Sequence, residues 1–95
     1  MLFTTKDNLG NIQAVCEYNK VNQQGKLDKQ GKYVYIANVD INPSARNNGI
    51  LKKFIKMITD KFPDIEYGYF KRDIKYSGRR RMYTRQQWLN RIKEN

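Results

Sequence analysis

The sequence predicts a small mixed α/β (α+β) domain: a β-hairpin, a strand–helix–strand unit, and a short C-terminal helix. Three observations carry this prediction. Two strand-like segments, 2–6 and 11–21, flank a turn cluster. Residues 33–41 are apolar on both faces for most of their length, as a strand in the middle of a sheet is. Between that strand and a second apolar run at 65–70, Ile50, Leu51, Phe54, Ile55, Ile58 and Phe62 recur at helical spacing.

Each element has its own local reason. Asp7, Asn8, Gly10 and Asn11 form the turn of the hairpin. The second strand carries Cys16, which packs as a small apolar residue. Residues 22–32 are polar with two glycines and predict a mobile connecting loop. In the central strand, strict alternation puts Tyr33, Tyr35, Ala37, Val39 and Ile41 on one face. Val34, Ile36, Asn38 and Asp40 occupy the other, which turns polar near the C-terminal end. Pro43 stops the ladder, and Ser44 or the following asparagines can cap the next helix. Lys52, Lys53, Lys56 and Asp60 lie off the apolar stripe, and Pro63 ends the helix. A strand–helix–strand order implies a right-handed crossover and parallel strands. Gly68, inside the last strand, signals a bulge or a close backbone approach. Thr84 and Gln87 form a capping box, opening a helix that docks by Trp88, Leu89 and Ile92.

The 95 residues form one domain, with a basic C-terminal segment at 71–95. No stretch has the length of a membrane span. Residues 1–6 lack the basic-then-apolar plan of a signal peptide. A single cysteine and no histidine exclude an intrachain disulfide, a Cys/His metal site and imidazole catalysis. The expectation is a soluble, cytoplasmic protein. The net charge of +10 is uneven: residues 1–50 hold six Lys/Arg against four Asp/Glu, and residues 71–95 hold nine against two. Such a field attracts nucleic acid, an acidic protein or a polyanionic cofactor.

The joint between the central strand and the helix is the candidate site. A strand that turns tightly onto a helix N-terminus presents unpaired backbone N–H groups at the positive end of the helix dipole, which suits an anion. The residues there read Val39, Asp40, Ile41, Asn42, Pro43, Ser44, Ala45, Arg46, Asn47, Asn48, Gly49, Ile50 and Leu51. This run resembles the acyl-coenzyme A motif of the GNAT N-acetyltransferase superfamily, apolar-x-apolar-x-Pro-x-x-Arg-x-x-Gly-x-Gly/Ala. The resemblance covers roughly residues 33–70 and implies a GNAT-like mixed sheet. Leu51 departs from the motif's last small position. The family's first strand, two early helices and final strands lack counterparts, as do the Asn and Tyr of its last conserved helix.

From the resemblance, the expected activity is acetyl-CoA-dependent transfer of an acetyl group to an amine, a protein lysine among the candidates, by direct attack. Arg46, Asn47, Asn48, Gly49, Ile50 and Leu51 would hold the pyrophosphate, and the backbone near Val39 and Ile41 the pantetheine arm and thioester. Asp40 is the first candidate for the base and Glu66 the second. Tyr83 and Tyr76, then Tyr69, are candidates for the acid. The alternative is an inactive GNAT-like scaffold that binds nucleic acid or an acidic protein through Arg79, Arg80 and Arg81, flanked by Tyr76 and Tyr83. A third reading is a small basic modulator on the same scaffold. A homodimer could complete the acceptor side.

Overall fold

The computed structural model describes residues 1–46 and 48–93. The chain runs β1 (Leu2–Lys6), β2 (Ile12–Val21), β3 (Tyr33–Ile41), a 3-10 turn (Pro43–Ala45), α1 (Ile50–Lys61), β4 (Tyr67–Phe70), α2 (Lys71–Ser77), β5 (Tyr83–Thr84) and α3 (Arg85–Lys93). The five strands form one mixed sheet in sequence order. Among the described residues only the β3–β4 pair is parallel; the others are antiparallel. It is a small α+β architecture, with α1 and α3 packed on one face of the sheet.

The core lies between that face and the two helices. Cys16, Tyr18, Val34 and Ile36 from the sheet meet Phe54, Ile55 and Ile58 of α1, together with Ile65 and Trp88. The helical spacing of these apolar residues turns them onto the sheet, and each large side chain buried this way contributes about 1.5–3 kcal/mol. The C-terminal end of α1 is held by α3. The Arg85 guanidinium donates to the carbonyls of Thr59 (2.8 Å), Phe62 (2.9 Å) and Ile65 (3.5 Å). Carbonyls that a helix end leaves without intrahelical partners are thus satisfied by a cation.

Several sequence features fold as expected. The side chain of Asp7 accepts from the N–H groups of Leu9 and Asn11 and shapes the hairpin turn. The capping box closes in both directions: Thr84 N–H donates to Gln87 Oε1 at 2.8 Å, and Gln87 N–H to Thr84 Oγ1 at 3.2 Å. Gly68 is a close approach, because any Cβ there would lie within 3 Å of the Trp88 indole.

Others fold differently. The alternation of the central strand breaks at Ala37. The β2–β3 register passes from Glu17↔Asn38 to Tyr18↔Ile36, leaving Ala37 as an extra residue. Beyond this bulge the faces exchange. Val39 and Ile41 therefore join Val34 and Ile36 on the helix side, packing against core residues. Tyr33 and Tyr35 share the uncovered face with Asn38 and Asp40; Tyr33 stacks on Tyr67 with ring centroids 5.3 Å apart, and Tyr35 packs tilted against Tyr69 at 5.2 Å.

The cap of α1 is not Ser44. Asn42 caps the 3-10 turn by accepting from Ser44 N–H, while Gly49, at φ 72°, takes the N-cap position of α1 with no side-chain hydrogen bond. Residues 22–32 are the expected connecting loop, built of turns in which Asn22 accepts from the N–H groups of Gln24 and Lys26 and Asp28 from that of Gln30. The basic C-terminal segment is folded as α2, β5 and α3. A left-handed Gly78 closes α2, its N–H bonding to the Ile74 carbonyl. No helix among the described residues is long and apolar enough to cross a membrane.

Candidate functional site

The site follows from a mismatch in strand length. β3 has nine residues and β4 four, and their parallel pairing ends at Ile36↔Phe70. The chain enters α2 at Lys71 and leaves the sheet. From Ala37 onward, β3 therefore has no strand beside it on the β4 side. The bulge at Ala37 lies at this point of divergence and twists β3 away.

A cleft of about 440 Å³ fills the divergence. Ile36, Val39, Leu51, Phe70 and Tyr83 give it an apolar floor, and Ala37 and Asn38 supply the strand edge. The rim carries Lys71, Arg72 and Lys75 from α2 and Arg91 from α3, against one carboxylate among the described residues, Asp73. Tyr76 completes the rim and is 78% exposed. This combination has a definite chemical capacity. A strand edge can pair with ligand amides, an apolar floor can hold an aliphatic arm, and a cationic rim can take phosphates.

The expected residues are distributed unevenly around this cleft. Val39, Leu51, Tyr76 and Tyr83 line it. Tyr83 is half-buried, edge-on to Phe70 at 5.8 Å, with the Arg81 guanidinium 5.1 Å from its ring centroid. Arg46, Asn48 and Gly49 are exposed at the turn into α1, whose first turn has no acidic residue. Asn47 lies outside the described residues. Ile41 and Ile50 pack with Ala14 and Ala45, so only their backbone can face a ligand.

Asp40 is exposed and does not line the cleft, because the bulge turns it to the uncovered face. Glu66 precedes β4 at the far end of the parallel pair, where its N–H donates to the Lys32 carbonyl. Tyr69 is buried on the uncovered face, its ring tilted against that of Tyr35. Burial, then neighbouring Tyr69 and Glu17, push the Tyr35 phenol up from its ordinary value. Arg79, Arg80 and Arg81 are all exposed. Arg80 is committed within the fold: its guanidinium sits 5.1 Å from the Tyr69 ring centroid and donates to the Gln23 carbonyl at 3.1 Å.

Sequence reasoning missed Asn38, Asp73 and Arg91 as site residues, and it read Lys71, Arg72 and Lys75 only as charge. One signal was available for Asp73, an acid among cations directly after a strand. Arg91 reaches the cleft only through the docking of α3, which no local pattern announces. No group of three or more His, Cys, Asp or Glu among the described residues could hold a metal ion.

No protein-family model matches the chain, and no curated protein matches it. A solved crystal structure of a bacterial toxin has the same fold. The two align over 99% of this chain and 72% of the toxin chain, with a TM-score of 0.61 and 12% identity.

Proposed function

We propose that the protein is an acetyl-CoA-dependent N-acyltransferase of GNAT type, with the cofactor in the cleft between β3 and β4. The observation that carries this reading is the divergence of two parallel strands beside a helix N-terminus, with an apolar floor and a cationic rim. These residues fit the cofactor's amides, aliphatic arm and phosphates. The free edge of β3 from Ala37 to Val39 orients the arm, and Leu51 adds its side chain to the floor. The amides of Gly49, Ile50 and Leu51, with Arg46, take the pyrophosphate. Acetyl-CoA supplies an activated thioester to the acceptor amine.

The base belongs to Asp73, the carboxylate that lines the cleft, in place of Asp40. It receives the proton the amine must lose, and the phenol of Tyr83 donates to the departing thiolate. The acceptor class is an amine, a protein lysine among the candidates. A buried, single cysteine supports a reducing compartment such as the cytoplasm.

Calorimetric titration with acetyl-CoA tests the proposal. Micromolar binding is expected, abolished by Gly49→Glu, which places bulk and negative charge at the pyrophosphate. Absence of binding at millimolar cofactor, with the protein folded, overturns it. Asp73→Asn should leave cofactor affinity intact and remove acetyl transfer, whereas Asp40→Asn should retain transfer.

A further inference from the structure

We infer that α2, together with Arg91, forms a docking surface for single-stranded nucleic acid. Lys71, Arg72 and Lys75 lie exposed on one short helix, and Arg91 faces them across the cleft. Four cations against Asp73 concentrate positive charge around this concave surface. Charge alone would suit any polyanion. The deciding feature is Tyr76, 78% exposed in the middle of the cations, with the Lys75 ammonium 5.8 Å from its ring centroid. Burying so large an apolar surface elsewhere would have been favourable, and the fold leaves it outside. A bare aromatic ring among phosphate-binding cations is the arrangement on which bases stack, and stacking tolerates any base sequence. An acidic protein would use the cations and leave the ring idle.

This assignment moves the surface away from Arg79, Arg80 and Arg81. Arg80 spends its guanidinium on Tyr69 and Gln23, and Arg81 sits over Tyr83. Their charge adds to the surrounding field, while α2 makes the contact. The rim's cations also serve the phosphates in the acetyl-transfer reading, whereas stacking on Tyr76 does not, so the Tyr76→Ala variant separates the two readings.

The experiment is fluorescence anisotropy with labelled oligo-dT and oligo-U of about twelve nucleotides, a length within the site sizes of single-strand binders. Four phosphate contacts give a slope of about −3 in log K against log salt, or roughly 50-fold weaker binding between about 50 and 200 mM salt. Changing Lys71, Arg72 and Lys75 together to alanine should reduce the slope to that of about one contact. Tyr76→Ala should lose about tenfold in affinity and keep the slope, because stacking is removed and charge is not. Acetyl-CoA titrations of the same variants report separately on the cofactor reading. Either of two results overturns the inference: a salt-independent affinity, or an unchanged affinity in Tyr76→Ala combined with equal binding of a poly-glutamate peptide of matched charge. The second would make the rim a surface for acidic proteins.

Discussion

Replacing Gly68 with alanine puts one methyl group where the Trp88 indole now lies. A Cβ at that position would fall 2.8 Å from Cζ3 and closer still to Cη2 and Cζ2, whereas ordinary contact begins at 3.4 Å. Even Cζ3 must therefore retreat by about 0.6 Å, and the rest of the ring by more. Trp88 has little freedom to do so: it is 2% exposed and packs edge-on against Phe70 at 6.5 Å. Overpacking of this kind costs about 1–3 kcal/mol, and a rigid ring pressed into backbone belongs at the upper end. For a domain of this size about 3 kcal/mol corresponds to a fall of roughly 12–24 °C in Tm.

The assay is thermal unfolding followed by circular dichroism, run as a double-mutant cycle with Trp88→Phe. Phenylalanine lacks the atoms that clash. On that background Gly68→Ala should cost less than about 1 kcal/mol, a coupling of about 2 kcal/mol or more. A Gly68→Ala protein that melts with the wild type, or an additive cycle, would refute the packing argument. Because α3 carries Arg91, the same displacement should widen the cleft and weaken whatever binds its rim.

Arg85→Ala strips the cation from three carbonyls in and just after the last turn of α1 and should cost about 2–4 kcal/mol in urea unfolding. Arg85→Lys should recover only part, since an ammonium cannot reach them as a fork; complete rescue would disprove the capping role. Asp64 is held below its ordinary value of 3.8 chiefly by the hydrogen bond from the Lys20 ammonium, and Asp7 chiefly by the Asn11 N–H. With folded values depressed, both contribute stability above pH 3.8 that is lost as pH falls through the folded values. Lys20→Met should flatten the acid limb of a urea-midpoint titration, and an unaltered limb would show that the pair is inert. Burial, with a smaller contribution from Asp40, pushes the Cys16 thiol up to about 11. Its modification by a disulfide reagent at neutral pH should therefore track global unfolding; reaction of the native protein at the rate of a free thiol would contradict that burial.

The legible parts of the fold were those written in period and punctuation. The α1 stripe, the Thr84–Gln87 box, the docking of Trp88 and the close approach at Gly68 all follow from local residue patterns, because each depends on neighbours in sequence. The bulge at Ala37 leaves no such mark. One extra residue changes which face Val39 and Asp40 occupy without changing composition, so the strict alternation misassigned both. The start of α2 was equally silent. Lys71 to Tyr76 are mostly charged and the helix has no side-chain cap, yet where it begins sets the length of β4. The length of β4 in turn sets where β3 becomes free, so half of the cleft's wall was hidden. Val39, Leu51, Tyr76 and Tyr83, named from the sequence, line the cleft because they flank recognisable elements. Arg91 was not, because it arrives by tertiary docking.

The parallel joint also governs how the molecule is assembled in time. β1, β2 and β3 pair across short connections, whereas β3 and β4 pair only after residues 42–66, with all of α1, have crossed over. Closing that longer loop carries the larger entropic cost and rewards it with only four residue pairs. By this topology the hairpin region should form early and the β3–β4 joint late. Its amides should be the first in the sheet to exchange with solvent when the native state opens. The cleft exists only while that joint is closed. A ligand seated in it therefore holds the chain shut at its most easily released seam, and at a hundred times its Kd would add about 2.7 kcal/mol to the stability of the whole domain.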